Sequence, residues 1–139
     1  MTNKQQPRWR PISELPLIAS LIDGTLANTE EQYQTFSEIK NKPHVLDDAI
    51  VERTIKLYRA QLNDHCLFEE QIRLWSDSEL TSRQRQEVER LSAGLVKLKE
   101  KSEAILKLMD TIKDRTIDKI LAKDDIKIAI DVLSGKLKL

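Results

Sequence analysis

Between Val88 and Ile112, apolar side chains return at alternating steps of three and four residues: Val88, Leu91, Leu95, Leu98, Ser102, Ile105, Met109 and Ile112. Seven of these eight positions are apolar. A spacing of about 3.5 residues is that of one helix laid along another in a left-handed pair, so this stretch predicts a long helix with a continuous buried seam. Leu91, Leu95, Leu98, Ile105, Met109 and Ile112 are therefore the candidate interaction residues, holding together either the chain itself or a pair of chains.

The start of this third helix is written in "SDSELTSRQ". Ser78 or Thr81 can cap it, and Thr81 with Gln84 has the spacing of a capping box, in which side chain and backbone satisfy each other's hydrogen bonds reciprocally. The helix should extend to about residue 114. Before it, a second helix is expected from Pro43 or His44 to Trp75, about 45 Å at a rise of about 1.5 Å per residue. It carries two apolar stripes. One follows Leu46, Ile50, Leu57, Ala60, Leu67 and Leu74; the other follows Val51, Ile55, Tyr58, Leu62, Cys66 and Ile72. Two stripes imply two neighbours, so this helix is expected to be the central one.

Ser13 can cap a first helix over residues 13–41, with Pro16 tolerated in its first turn. Gly24 interrupts the pattern, and Thr29 with Gln32 again has capping-box spacing, so this helix is expected to be broken or kinked near Gly24. Beyond residue 115, Thr116 and Asp124 are candidate caps for two short helices, Gly135 stands where a terminator belongs, and the "KLKL" tail is expected to fray. The whole reads as an all-α fold: a basic arm over residues 1–12, an elongated antiparallel bundle of three main helices over 13–115, and a small helical cap over 116–139. Composition agrees, since three glycines, four prolines and 4% aromatic residues leave few turn formers for a β protein.

Charge narrows the function classes. Lys plus Arg equal Asp plus Glu at 23 each, so no overall field draws the chain to nucleic acid or an anionic membrane. By segment, residues 1–12 carry +3, 13–44 carry −3, 45–79 carry −4, 80–115 carry +3 and 116–139 carry +1, which suggests that the acidic middle pairs with the basic third helix. Arg83, Arg90 and Lys97 recur every seven residues and could follow a phosphate backbone, but Glu87, Glu89 and Glu100 dilute them, and nucleic acid is not the expected partner. No stretch approaches the length of an apolar membrane span, and the three glycines form no phosphate-binding loop. The single cysteine and the absence of a signal-peptide pattern favour a reducing, cytoplasmic setting.

"NDHCLFEEQ" is the one stretch with candidate chemistry. His65 and Glu69 share a helix face at i and i+4, a legitimate spacing for two metal ligands or for a carboxylate-oriented imidazole. Two ligands do not make a site, and no Glu-x-x-His motif of the di-iron bundles occurs. If the helices pair symmetrically across their links, His65 faces the neighbourhoods of Ser20 and Ser92, where no further His or Cys lies. The pair is expected to be structural, Cys66 a small core residue, and the Asp47–Asp48 pair a helix start. No cofactor and no metal are expected. The resulting expectation is a non-catalytic helical module for protein–protein interaction or oligomerisation, most simply as a homodimer, with Trp9 of "PRWRP" a possible anchor. The alternatives are a small enzyme or metal-binding protein using His65 and Glu69, and a nucleic-acid accessory protein using the arm and the third helix.

Overall fold

The computed structural model describes residues 8–133, apart from the side chains at 124, 128, 131 and 132, and is all-α. A 3-10 turn at Ile12–Glu14 leads into α1 (Leu15–Ile39), a second 3-10 turn at Pro43–Val45 precedes α2 (Asp48–Ser76), and α3 (Ser82–Ile112) is followed by α4 (Ile117–Leu133). No helix of the described residues is long and apolar enough to cross a membrane. Gly135, the "KLKL" tail and residues 1–7 of the arm lie outside the described residues.

The α3 seam is the backbone of the fold. The buried residues of α3 are Val88, Leu91, Leu95, Leu98, Ser102, Ile105, Met109 and Ile112, the same eight positions that the heptad marks. Its capping box forms as read: Thr81 Oγ1 accepts from Gln84 N at 3.1 Å, and Gln84 Oε1 accepts from Thr81 N at 3.0 Å. These bonds satisfy two of the amide groups that a helix start leaves without partners.

The central helix is α3, whereas the two stripes of α2 had pointed to α2. Both α1 and α2 pack closely along α3, while α1 and α2 do not approach one another as closely. Helices α1 and α3 run parallel: Asp23 meets Arg90, Leu26 lies 3.8 Å from the Cβ position of Gly94, and Tyr33 sits under Lys101, pairs that climb both helices together.

Helix α1 passes through Gly24 without interruption, so its two halves are one helix. The reason is visible at Thr29. Its hydroxyl does not cap a new helix but accepts from Gln61 Nε2 at 3.0 Å, and the same amide donates to Ser102 Oγ at 3.0 Å. One side chain from each of three helices thus forms a polar layer, with Thr29 and Ser102 fully buried. Tyr58 lies against this layer in contact with Thr29, and burial pushes its phenol above the ordinary value. Below the layer, Leu15, Ile18, Ile22, Ile72 and Trp75 pack with Val88 to Leu98. Above it, Phe36, Leu46, Val51 and Tyr58 pack with Ile105, Met109 and Ile112. The polar exception in the heptad, Ser102, is the point where these two apolar halves meet. Buried groups of this kind fix the vertical alignment of helices, because a slip would leave three polar side chains without partners.

At the C-terminal end a single 17-residue helix stands where two short ones were expected. Thr116 does cap it, Oγ1 accepting from Lys119 N at 3.4 Å. Asp124, the other candidate cap, lies within the helix.

Candidate functional site

His65 is buried, with 4% of its surface exposed, at the edge of a groove between α2 and α3. Its Nε2 stands 3.0 Å from Glu69 Oε1, an electrostatic contact one helical turn along α2. Burial pulls the imidazole below its ordinary value and Lys99 adds to this, while Glu69 and Glu103 oppose it. The ring is accordingly neutral at neutral pH. Its neighbours on α3 include Lys99 and Glu103, beyond the Ser92 position that symmetric pairing suggested. Gln61 meets Ser102, so α3 begins about a turn beyond the end of α2, and the helices do not leave their link at the same height.

Cys66 is exposed and lines the same groove, so it is not a core residue. One step after buried His65 means about 100° of rotation, which carries the thiol out of the interface. Among the described residues no group of three or more His, Cys, Asp and Glu side chains is placed to hold a metal ion. The His65–Glu69 pair can orient a proton, but no third group completes a nucleophile or a ligand set around it.

Three basic residues of α3, Arg85, Arg90 and Lys101, are engaged with their own chain. Arg90 makes a two-pronged contact with Asp23 of α1 at 2.8 and 2.9 Å and also holds Glu87. Arg85 donates to the carbonyls of Ser76 and Ser78, stitching the link between α2 and α3. Lys101 covers the Tyr33 ring at 4.3 Å. The Arg90–Asp23 pair joins the acidic and basic segments as their charges suggested.

Six of the sequence-derived interaction residues, Leu91, Leu95, Leu98, Ile105, Met109 and Ile112, are enclosed within the chain. The seventh, Trp9, is 42% exposed. The arm is instead anchored through the Arg10 backbone: Arg10 N donates to Gln71 Oε1 at 2.6 Å, and Trp75 Nε1 and Gln71 Nε2 donate to Arg10 O at 3.0 and 3.3 Å.

A second groove, between α1 and α2, is more informative. Leu57, Ala60, Asp64 and Phe68 of α2 and Thr25 of α1 line it, and Leu98 of α3 forms its floor. Leu21 on α1 and Leu67 on α2 are placed at its outer edges by helical phase and are 49% and 46% exposed; Leu57 is 56% exposed. These α2 residues belong to the first of its two apolar stripes. Leu46 at the start of the stripe is buried in the core and Ile50 packs against it, but along Leu57, Ala60 and Leu67 no helix of the described residues covers it. Sequence reasoning found the stripe and missed that it is the open one, because an apolar periodicity gives a face and not its neighbour.

Comparisons with protein-family models, with curated proteins and with solved structures return no match.

Proposed function

We propose that this chain is a non-catalytic helical association module whose interface is the groove between α1 and α2. The observation that carries the reading is the set of half-exposed leucines, Leu21, Leu57 and Leu67, around an opening that reaches the core residue Leu98. Scattered surface leucines are ordinary, but several around one groove on two adjacent helices form the kind of patch that receives a partner. An amphipathic helix fits such a groove, presenting residues at i, i+3, i+4 and i+7 to it. The polar layer at Thr29, Gln61 and Ser102 supports this role by holding α1 and α2 in fixed register on α3, so that the groove is preformed and binding needs little rearrangement. A cytoplasmic setting suits a protein with an exposed thiol at Cys66. The enzyme alternative has less behind it, since His65 and Glu69 stand without a third participant, and Arg90 is turned to Asp23 and away from a phosphate partner.

The test is photo-crosslinking in living cells from a reactive side chain placed at Leu57 or Leu67, with Glu89 on the exposed face of α3 as the control. Discrete protein adducts from the groove positions and none from Glu89 are expected. Absence of adducts from both groove positions would remove the interface reading.

A further inference from the structure

We propose that the starts of α2 and α4 form a reciprocal latch centred on Asp48, and that this latch opens as one cooperative unit while the three-helix bundle stays closed.

Two helix starts meet at this point, α2 beginning at Asp48 and α4 at Ile117. A helix start carries unpaired N–H groups and a partial positive charge, so two of them side by side are unfavourable unless acceptors stand between them. Each helix supplies the acceptor that the other needs. Asp118, in the first turn of α4, accepts from the Asp48 backbone N at 2.7 Å through Oδ2. Asp48 in turn accepts from Thr116 Oγ1 at 2.6 Å through Oδ1 and from Lys119 Nζ at 2.9 Å through Oδ2. A backbone bond from Ile117 N to Leu46 O at 2.9 Å completes the set. Asp47 stays with its own helix, capping α2 at Ile50 N.

These four bonds depend on one another. Thr116 is fully buried, and its hydroxyl donates to Asp48 while its oxygen accepts from Lys119 N. Without the Asp48 carboxylate that donor stays buried and unsatisfied, a state more costly than the loss of an ordinary exposed bond. The Thr116 hydroxyl and the Lys119 ammonium hold the Asp48 carboxyl below its ordinary value, so it remains charged and accepting at neutral pH.

The latch is also separable from what holds the bundle. It lies beyond the Lys113–Arg115 link that follows the last seam residue, Ile112. Opening it uncovers Thr116 and the half-buried Ile117, whereas Asp118 to Lys123 are already exposed. Opening α3 would instead uncover Ile105, Met109 and Ile112, which are fully buried. Local opening follows the route that exposes least apolar surface, and here that route is the latch.

The test is amide hydrogen exchange of the full chain, read by NMR. Two amides report on the latch from opposite helices, Asp48 N on α2 and Ile117 N on α4, and Leu98 and Ile105 report on the seam. In wild type the two latch amides are expected to share one opening constant, larger than that of the seam amides. Thr116→Val alters neither charge nor any residue of α2, yet the Asp48 amide is expected to open about tenfold more readily or beyond, the effect of losing a hydrogen bond to a charged group. Asp48→Ala is expected to do the same to the Ile117 amide, and Lys119→Gln, a change at an exposed position, to raise both by less. The seam amides should keep their wild-type values in all three. An Asp48 amide unmoved by Thr116→Val would overturn the reciprocity, leaving Thr116 a cap of α4 alone. Latch amides that differ from each other in wild type, or that open only together with the seam, would overturn the cooperative unit.

Discussion

Helices α3 and α2 are both long and amphipathic, 31 and 29 residues, and both advertise their apolar positions in the sequence. In α3 every position of the seam is enclosed by the chain. In α2 the line through Val51, Tyr58 and Ile72 is enclosed, whereas Leu57, Ala60 and Leu67 face outward. The two helices thus differ in how completely their apolar faces find neighbours. A saturated seam builds a fold, and an unsaturated stripe on a rigid helix offers a surface to something else. The difference teaches that apolar periodicity locates adhesive faces without distinguishing those that hold one chain together from those that join it to another.

The largest effect should come from breaking the saturated side. Leu98 is buried in the lower core and also forms the floor of the α1–α2 groove. Leu98→Ala is expected to lose about 2–5 kcal/mol in denaturant melts, the range for leucine truncations that leave a cavity. A loss under about 0.5 kcal/mol would mean that the seam is not the core.

Ser102 sharpens the same side from within. Heptad reasoning alone treats it as a flaw that a leucine would mend. In the structure its hydroxyl accepts from the Gln61 amide inside a buried layer, so Ser102→Leu both removes an acceptor and inserts volume where none is vacant. The expected result is a loss of about 1–3 kcal/mol, not a gain. A stabilised variant would show that the layer contributes nothing to register.

Much of the fold was legible before the coordinates. The eight-position seam, the Thr81–Gln84 box and the Thr116 cap are local signals, each carried by spacing alone, and each stands in the structure as read. What the sequence concealed was relational. Thr29 and Gln32 have the spacing of a cap, yet Thr29 serves a residue 32 positions away on another helix. Cys66 continues an apolar stripe, yet one step of helical rotation past His65 exposes it. Trp9 looked like the anchor of the arm, but the bonds run from Gln71 and Trp75 to the backbone of Arg10, which carries no side-chain signal. The candidate groove was half legible: its α2 wall was named as a stripe, while its openness depends on the spacing between α1 and α2.

Below these effects lies a pH dependence seated at the other edge of α2. His65 is buried with a lowered value, and it faces Glu69 and Phe68 on its own helix, Lys99, Glu103 and Leu98 on α3 and Thr25 on α1. The unfolded chain binds the proton first, from its ordinary value of 6.5 downward. Stability is therefore held above that value, falls as the pH drops below it, and levels once the folded imidazole is itself protonated. Urea melts between about pH 7.5 and about pH 5.5 should show this decline in wild type and a weaker one in His65→Gln. Equal slopes in the two proteins would show that Glu69 and Glu103 compensate fully for burial.

The smallest expected effect is the most discriminating, because it probes the open side directly. Leu57 is more than half exposed in the single chain, so Leu57→Glu removes little buried area. The new carboxylate would stand about two helical turns from Asp64, far enough along an exposed face for solvent and salt to screen most of the repulsion. Measured at concentrations dilute enough to keep the chain monomeric, the stability of this variant should lie within about 0.5 kcal/mol of wild type. At concentrations where wild type associates, the two should diverge, since mass action stabilises only the form that can bind. A loss in the dilute monomer comparable to that of Leu98→Ala would abolish the contrast between the helices, by showing that Leu57 is already buried in the folded single chain. A divergence confined to high concentration would instead assign the outward stripe of α2 to association.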